Sequence, residues 1–559
     1  MITALLVILV LLIFMEVNRL LSRRSWKQRL KIYIHEKFGA VPKEKEWNDK
    51  VKEYWKLTGD DDGLDDITWN DLSMNGMFNR INNCDTSAGE EILYWKLRRN
   101  DMEDEEREIF EKRVSVFGRD EKLREETENI LCNIGKESAS YYIPSYMDGI
   151  GEYRLKYGWL CRVLQILLVL SLIAAAATRT SAAEFACLAV CVVNLVLYMM
   201  TKMKYEVELG LSDPAIQILE AGKKLSEKEK IRELFPVLSE ETAGFKKVLR
   251  GSRFLRTQRA NTAAGDVGAL LLDYLMGITL WQLTVYDSMV RRLSEKAEEY
   301  LEVYREIGEM DAAVSTASFR QSLPWYCVPE FGEENGPDGN GRNIFMEDVY
   351  HPLIDDPVEN TLELNRGCLI TGSNASGKST FIKAVAVNVV LAQAFNTCAA
   401  GKMRMPHVQV LTSMAVRDDL MAGESYFIRE IRYLKRILDH LNDRKVTLCV
   451  IDEILRGTNT GERIRASHAI LEYLAGKNCI PLIASHDKEL TVLLDRLYDN
   501  YHFSEEMGEG DISFSYKIMK GPATSQNAVK LLKIAGFPEE ILEKCEETDE
   551  TLEKSMISC

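Results

Sequence analysis

The sequence predicts a C-terminal α/β domain of the phosphate-loop class, preceded by an all-α region that membrane-spanning helices interrupt. Three observations lead there. A short apolar run at Cys368-Leu369-Ile370 passes through Thr371-Gly-Ser-Asn-Ala-Ser-Gly-Lys-Ser-Thr380 into an apolar helical stretch. That is the strand–loop–helix setting in which GxxxxGK[ST] binds phosphate. Beyond the turn-rich residues 332–341, short apolar runs alternate with helical patterns, as in a parallel sheet. Finally, residues 2–15, 163–178 and 182–200 are long apolar runs, the mark of membrane helices.

Composition narrows the options. The chain has 559 residues with 70 Lys+Arg against 86 Asp+Glu, a net charge of −16. That length suits three or four domains, and the composition excludes a disordered or disulfide-knotted chain. The acidic balance excludes coating of nucleic acid by bulk positive charge, so a nucleic-acid partner must be met by a local patch. Twelve scattered cysteines without a CxxC and seven dispersed histidines indicate reduced thiols and no structural metal.

Taken in order, residues 1–18 read as a transmembrane anchor. Their apolar run is followed, not preceded, by Arg19, Arg23, Arg24, Lys27 and Arg29, the reverse of a cleaved leader; an interfacial helix is the alternative. Residues 19–65 form a charged, solvated cytosolic connector or small helical arm. Residues 66–156 carry helical spacing. Residues 157–203 form a transmembrane hairpin turned by Arg179-Thr180-Ser181, its flanks marked by Lys156, Arg162, Lys202 and Lys204. Basic flanks face the cytoplasm. Residues 204–324 are helical again, and 288–311, with both charge signs among apolar positions, reads as an exposed lever or strut. Within them 268–286 carries Asp273 and Gln282 and is expected to be a packed helix, since an ionisable group in lipid is costly. The α/β domain occupies 325–559. The expected location is the cell membrane, multi-pass, with that domain in the cytoplasm.

The chemistry gathers at three strand ends. Gly372, Ser373, Asn374, Ala375, Ser376, Gly377, Lys378, Ser379 and Thr380 are expected to cradle nucleotide phosphates with backbone N–H groups, Lys378 reaching the β and γ oxygens and Ser379 a Mg²⁺. A second strand, 446–451, ends in Asp452-Glu453, an aspartate for the Mg²⁺ shell and a carboxylate to polarise the attacking water. A third, 480–484, leads to His486, placed to sense the γ-phosphate. Together they describe an ATP hydrolase.

Four blocks in order, TGSNASGKST (371–380), RDDLMAGESYFIREI (417–431), VIDEILRGTNTGER (450–463) and LIASHDKEL (482–490), resemble the ATPase domain of the MutS mismatch-repair family. Residues 71–117 resemble the start of that family's core domain, 204–324 its lever, and 521–542 its helical C-terminal part. The resemblance implies an ABC-type ATPase using ATP and Mg²⁺, a homodimer through the ATPase heads, and Ser425 acting in trans on the partner's γ-phosphate. It further implies coupling to double-stranded DNA in a mismatch-repair-like role. The alternative is an ATP-driven switch acting on membrane lipid or a protein partner without DNA. A transporter is disfavoured because three spans are few and only Gln165 and Asn194 offer polar groups inside the hairpin. The match has departures: Ser373 and Ser376 stand where the family usually has Pro and Gly, and Glu424 replaces the usual Arg beside Ser425. Sixty-five residues before the core are too few for the mismatch-reading domain with its Phe-x-Glu wedge and for the connector domain, so mismatch reading by base stacking is not expected.

Overall fold

The computed structural model describes residues 24–43, 46–59, 63–250, 274–332, 342–373, 376–414, 426–442, 444–507, 512–523, 536–542 and 544–545. The expected anchor at 1–18 lies outside them, as do Asp273, Asn374, Ala375, Glu424 and Ser425. The chain divides into two compact units, one formed by the residues up to Gly63 with Phe78–Ser322, the other by Leu64–Met77 with Leu323 onward.

The first unit is helical and is organised around Ala297–Gln321, whose residues from Tyr300 to Arg320 are largely buried. This corrects the reading of 288–311 as an exposed strut. Its charges are turned inward and compensated: Glu309 meets Lys96 at 2.9 Å, Glu306 meets Arg113 at 3.3 Å, and Arg320 pairs with Glu111 at 2.6 Å. Removing one partner of such a pair costs roughly 3–5 kcal/mol, so the pattern specifies burial and not solvation. Asp311, fully buried, accepts hydrogen bonds from the backbone N–H groups of Asp85 and Thr86 and from the Thr86 hydroxyl at 2.6–3.0 Å. Thr86 in turn caps the helix Ser87–Arg99 through Gly89 N–H at 2.8 Å.

Of the two readings of 19–65, the described residues bear out the helical arm and correct the solvated connector. Residues 24–37 are helical, Ile34, Val51 and Tyr54 are buried, and Lys37 is held between Asp85 at 2.7 Å and Glu128 at 3.3 Å. Burial, with the Asp85 charge, pushes the Glu128 carboxyl up to about 7 despite Lys37 and Arg124.

The hairpin comprises Gly158–Thr178 and Ser181–Lys204, with Arg179 in a left-handed turn between them. At 1.5 Å per residue the helices are ~31 and ~36 Å long, enough to cross a bilayer. Ile166, Leu170, Ile173, Leu188, Val192 and Met200 are each more than half exposed, an apolar surface that a water-facing helix does not carry. The described part of 268–286 is indeed a packed helix, but a broken one: 274–279 is separated from Trp281–Ser294 by Leu280 at φ 52°. A further apolar helix, Lys378–Phe395, is 83% buried in the second unit and is a core element.

The second unit is α/β. A six-stranded sheet has the order β10-β9-β4-β8-β7-β6, with β4 Gly367–Thr371, β6 Val408–Ser413, β7 Val446–Asp452, β8 Cys479–Ser485, β9 Tyr498–Met507 and β10 Ile512–Lys520. All neighbours pair in parallel except β9 with β10. A smaller sheet joins β1 Glu330–Phe331, β5 Lys402–Met405, β2 Ile344–Val349 and β3 Asn360–Leu364 in that order. Residues 66–77, expected with the helical region, belong here instead. Asp71 accepts from the Thr412 hydroxyl at 2.7 Å and from Met414 N–H at 3.0 Å, and Asp65 pairs with Arg436 at 2.5 Å. The short helix Asp66–Asp71 thereby satisfies polar groups at the end of edge strand β6, where free strand groups invite foreign pairing.

Gly89 is required at the Asp311 junction, since a Cβ there would lie 2.2 Å from Asp311 Oδ2. Gly89→Ala should lower the stability of the helical unit by about 1–3 kcal/mol, seen as a reduced urea midpoint of the detergent-solubilised chain; an unchanged midpoint would contradict the junction's role.

Candidate functional site

Strand register decides where the chemistry sits. Thr371 on β4 pairs with Ser485 on β8, and Ala484 on β8 pairs with Asp452 on β7. Three neighbouring parallel strands therefore end at one level, and the segments leaving them, Gly372–Gly377, Glu453 and His486, emerge side by side. Ligands of open parallel sheets bind at such carboxyl ends.

Gly372 and Gly377 have φ of 146° and 101°, and a Cβ on Gly372 would meet Ser376 Oγ at 2.9 Å and Phe503 O at 3.0 Å. Only glycine turns the backbone this tightly. The loop delivers the chain to the helix Lys378–Phe395, whose N-terminus carries no side-chain cap among the described residues. Its first N–H groups are thus left to an anion. Lys378 Nζ donates to Gly372 O at 2.5 Å and Ser373 O at 2.7 Å, and the Ser376 hydroxyl to Ser373 O at 2.8 Å. Ser379 is half-buried in the first helical turn and Thr380 is exposed.

Asp452 is buried, and its Oδ1 has no hydrogen-bond partner among the described residues. With the Ser379 hydroxyl it offers hard oxygen donors, the set that Mg²⁺ takes. Glu453 follows at φ 61°. Its carboxylate contacts His486 Nε2 and lies 2.5 Å from Arg456 Nε. Burial works to raise its pKa, but His486, Arg456 and Lys378 together hold it below the usual carboxylate value. His486 Nδ1 stands 3.0 Å from Gly372 O and 3.4 Å from Lys378 Nζ. The neighbouring Asp487 is gripped by Arg463 at 2.5 and 2.9 Å, which fixes the segment carrying His486. The structure thus brings Lys378, Asp452, Glu453 and His486 together. Asn374, Ala375 and Ser425 are outside the described residues.

Residues 368–553 match the family model MutS domain V. This region carries a MutS domain V. Similar proteins include DNA mismatch repair protein MutS 2 of Halobacterium salinarum, 34% identical over 46% of this chain and 30% of its own length. The DNA mismatch repair proteins MutS of Streptococcus uberis and Thermus thermophilus are each 29% identical, over 48% and 46% of this chain and 32% and 31% of theirs. The chain therefore spans about a third of the length of the curated relatives it matches.

Two features of this MutS domain escape sequence reading. The first is Glu430 on the helix Tyr426–His440. Its buried carboxylate accepts Arg456 N–H at 3.0 Å and also meets the N–H groups of Leu455 and Gly457. Leu455, like Glu453, holds a positive φ, 57°. Such backbone costs of order 1–3 kcal/mol per residue, and hydrogen bonds to a charged acceptor return about 1.5–3 kcal/mol each. Glu430 can therefore hold the strained turn that aims Glu453. A glutamate on an amphipathic helix gives no local signal of a partner 26 residues downstream.

The second is a cavity of about 390 Å³ lined by His351, Ile354, Val358, Phe381 and Tyr516, and by Gly377 and Thr380 of the loop and first helical turn. Its size and apolar walls suit a planar aromatic group. Tyr516 has φ 52° where the β9–β10 register shifts, and Asn360 fastens this bulge by donating to Tyr516 O at 3.0 Å and accepting from Ile518 N–H at 2.8 Å. A bulge re-aims a side chain. Burial, with Lys383 nearby, depresses the His351 pKa to about 4, so its ring is neutral at physiological pH.

Glu430→Gln should lower the kcat of ATP turnover about tenfold, ~1.4 kcal/mol, while the KM for ATP changes less than twofold. An unchanged kcat would remove its positioning role. Tyr516→Ala should do the reverse, raising KM several-fold with kcat retained; equal KM in both proteins would detach the cavity from nucleotide binding.

Proposed function

We propose that this chain is a membrane-anchored MutS-type ATPase with an ABC-type P-loop fold, which hydrolyses ATP in a composite dimeric site and couples closure of its heads to duplex DNA. The observation that carries this reading is the meeting of Lys378, Asp452, Glu453 and His486 at the ends of three adjacent parallel strands. The base occupies the cavity beside Tyr516, and the phosphates lie along Gly372–Thr380. Lys378 exchanges the Gly372 and Ser373 carbonyls for phosphate oxygens. Ser379 and Asp452 are the residues that would hold Mg²⁺, which would supply charge neutralisation at the phosphates. Glu453, kept ionised by its cationic neighbours, orients water and accepts its proton. His486 bridges Glu453 and the phosphate loop, so it registers whether the γ-phosphate is present. Ser425 of each protomer completes the opposite site with its hydroxyl.

A second reading keeps the ATPase without DNA, with closure acting on the membrane or a protein partner. The exposed apolar hairpin favours it, and so does the net charge of −16. Turnover of the chain in nanodiscs, measured with and without duplex DNA at several salt concentrations, separates the two. Stimulation that fades with salt supports DNA coupling. Indifference to DNA with dependence on lipid supports the second.

Lys378→Ala should abolish nucleotide binding or turnover, and unchanged turnover would refute the phosphate-loop assignment. Glu453→Gln should retain ATP and accumulate a dimer, measured by light scattering; a dimer fraction insensitive to ATP would refute the composite site.

A further inference from the structure

The hairpin's charges define a narrow slab. Between Arg162 and Arg179 lie the 16 uncharged residues 163–178, and between Glu184 and Lys202 the 17 uncharged residues 185–201. At 1.5 Å per residue these are ~24 and ~26 Å long, slightly less than a hydrocarbon core of ~30 Å. A hairpin that crosses therefore has no length to spare, and Arg162 and Lys202 must sit at the inner boundary. Tyr157 and Trp159, both 64% exposed, mark the same level as an interfacial aromatic belt does.

The broken helix 274–294 packs inside that boundary. Gln165 Nε2 donates to Thr279 O at 2.9 Å and Thr284 Oγ1 at 3.1 Å, Asn194 Nδ2 to Ile278 O at 2.7 Å, and Tyr198 OH to Gln282 at 2.6 Å. Gln165 is three residues beyond Arg162 and Asn194 eight beyond Lys202, depths of ~5 and ~12 Å. The carbonyls next to the Leu280 break thus find side-chain amides as partners, the condition under which irregular backbone is tolerated at membrane depth. No charged side chain occurs from 274 to 286. The first one, Asp287, is buried 3.4 Å from Arg162, at the boundary itself. Tyr274, Leu275 and Trp281 point outward and are 44%, 59% and 49% exposed.

We propose that residues 274–286 form a further membrane-inserted element, a broken helix seated in the inner leaflet against the hairpin, with Tyr274, Leu275 and Trp281 facing lipid. This rests on the hairpin spanning the bilayer. The helix that begins in this element continues out of the leaflet to Ser294, and only Glu295 and Lys296 separate it from the buried central helix Ala297–Gln321.

The test uses the full chain in nanodiscs of phosphatidylethanolamine and phosphatidylglycerol, with photoreactive benzoylphenylalanine replacing Leu275, Trp281, Leu170 or Tyr142 one at a time, and lipid adducts counted by mass spectrometry. Leu170 is on the hairpin and Tyr142 is an exposed residue on the helical unit. Adduct yields at 275 and 281 within about threefold of 170, and at least tenfold above 142, are expected. Adducts at 170 but not at 275 or 281 would overturn the proposal and leave the spanning hairpin intact. No adducts at 170 would overturn the spanning hairpin itself, and the proposal with it.

Discussion

In-register parallel pairing of β4, β8 and β7 is the constraint on which the site rests. Asp452, Glu453 and His486 lie at or one residue past a strand end, and Lys378 follows β4 by the short loop after Thr371, so a register slip of one residue would move one whole group by about 3.3 Å and turn its side chains to the opposite face. The interior of the sheet secures the register: Leu369, Ile451 and Ile483 are almost completely buried in one cluster. The apolar core therefore sets the relative positions of Glu453, His486 and Lys378 before any of them interacts.

Those positions are then refined by charge. Glu453 carries a backbone conformation that L residues avoid, and it is met by three cations or potential cations, Arg456, His486 and Lys378. Strain and like-sign crowding would push such a cluster apart. It persists because Glu430 gathers the N–H groups that follow the strain, and Arg463 with Asp487 anchors the His486 side. The helix that supports the turn runs from Tyr426 to His440, so the support of Glu453 comes from an element outside the three strands.

What could be read from the sequence was local. The glycine-bearing loop after Thr371, the Asp452-Glu453 pair and His486 each stand in a recognisable strand-end setting within a few residues, and the apolar hairpin is a composition signal. What could not be read depends on distant partners. Asp311 is 225 residues from Thr86, and without that partner Ala297–Gln321 reads as a charged surface helix. The same holds for Lys37, whose burial needs Asp85 and Glu128, and for residues 66–77, whose acceptors serve strand β6. Tyr516 enters the cavity only because a bulge pinned by Asn360 rotates it, and bulges leave little trace in an alternating strand pattern.

The interrupted order of these pieces has a consequence for how the protein is made. Residues 64–77 leave the ribosome early, yet Asp71 finds its acceptor duties on Thr412 and Met414, more than 300 residues later. The helix Ser87–Arg99 likewise waits for Ala297–Gln321, and the apolar hairpin is synthesised between them. Contacts so distant in sequence form slowly, and domains assembled during synthesis expose their unpaired surfaces meanwhile. At a synthesis rate of roughly 5–20 residues per second, the N-terminal third must remain soluble for tens of seconds without its partners. Within 101–129 the apolar Phe110, Val114 and Phe117 that wait for their partners alternate with Asp104, Glu105, Glu108 and Lys122, charges that stay exposed in the finished fold and keep the waiting segment in water.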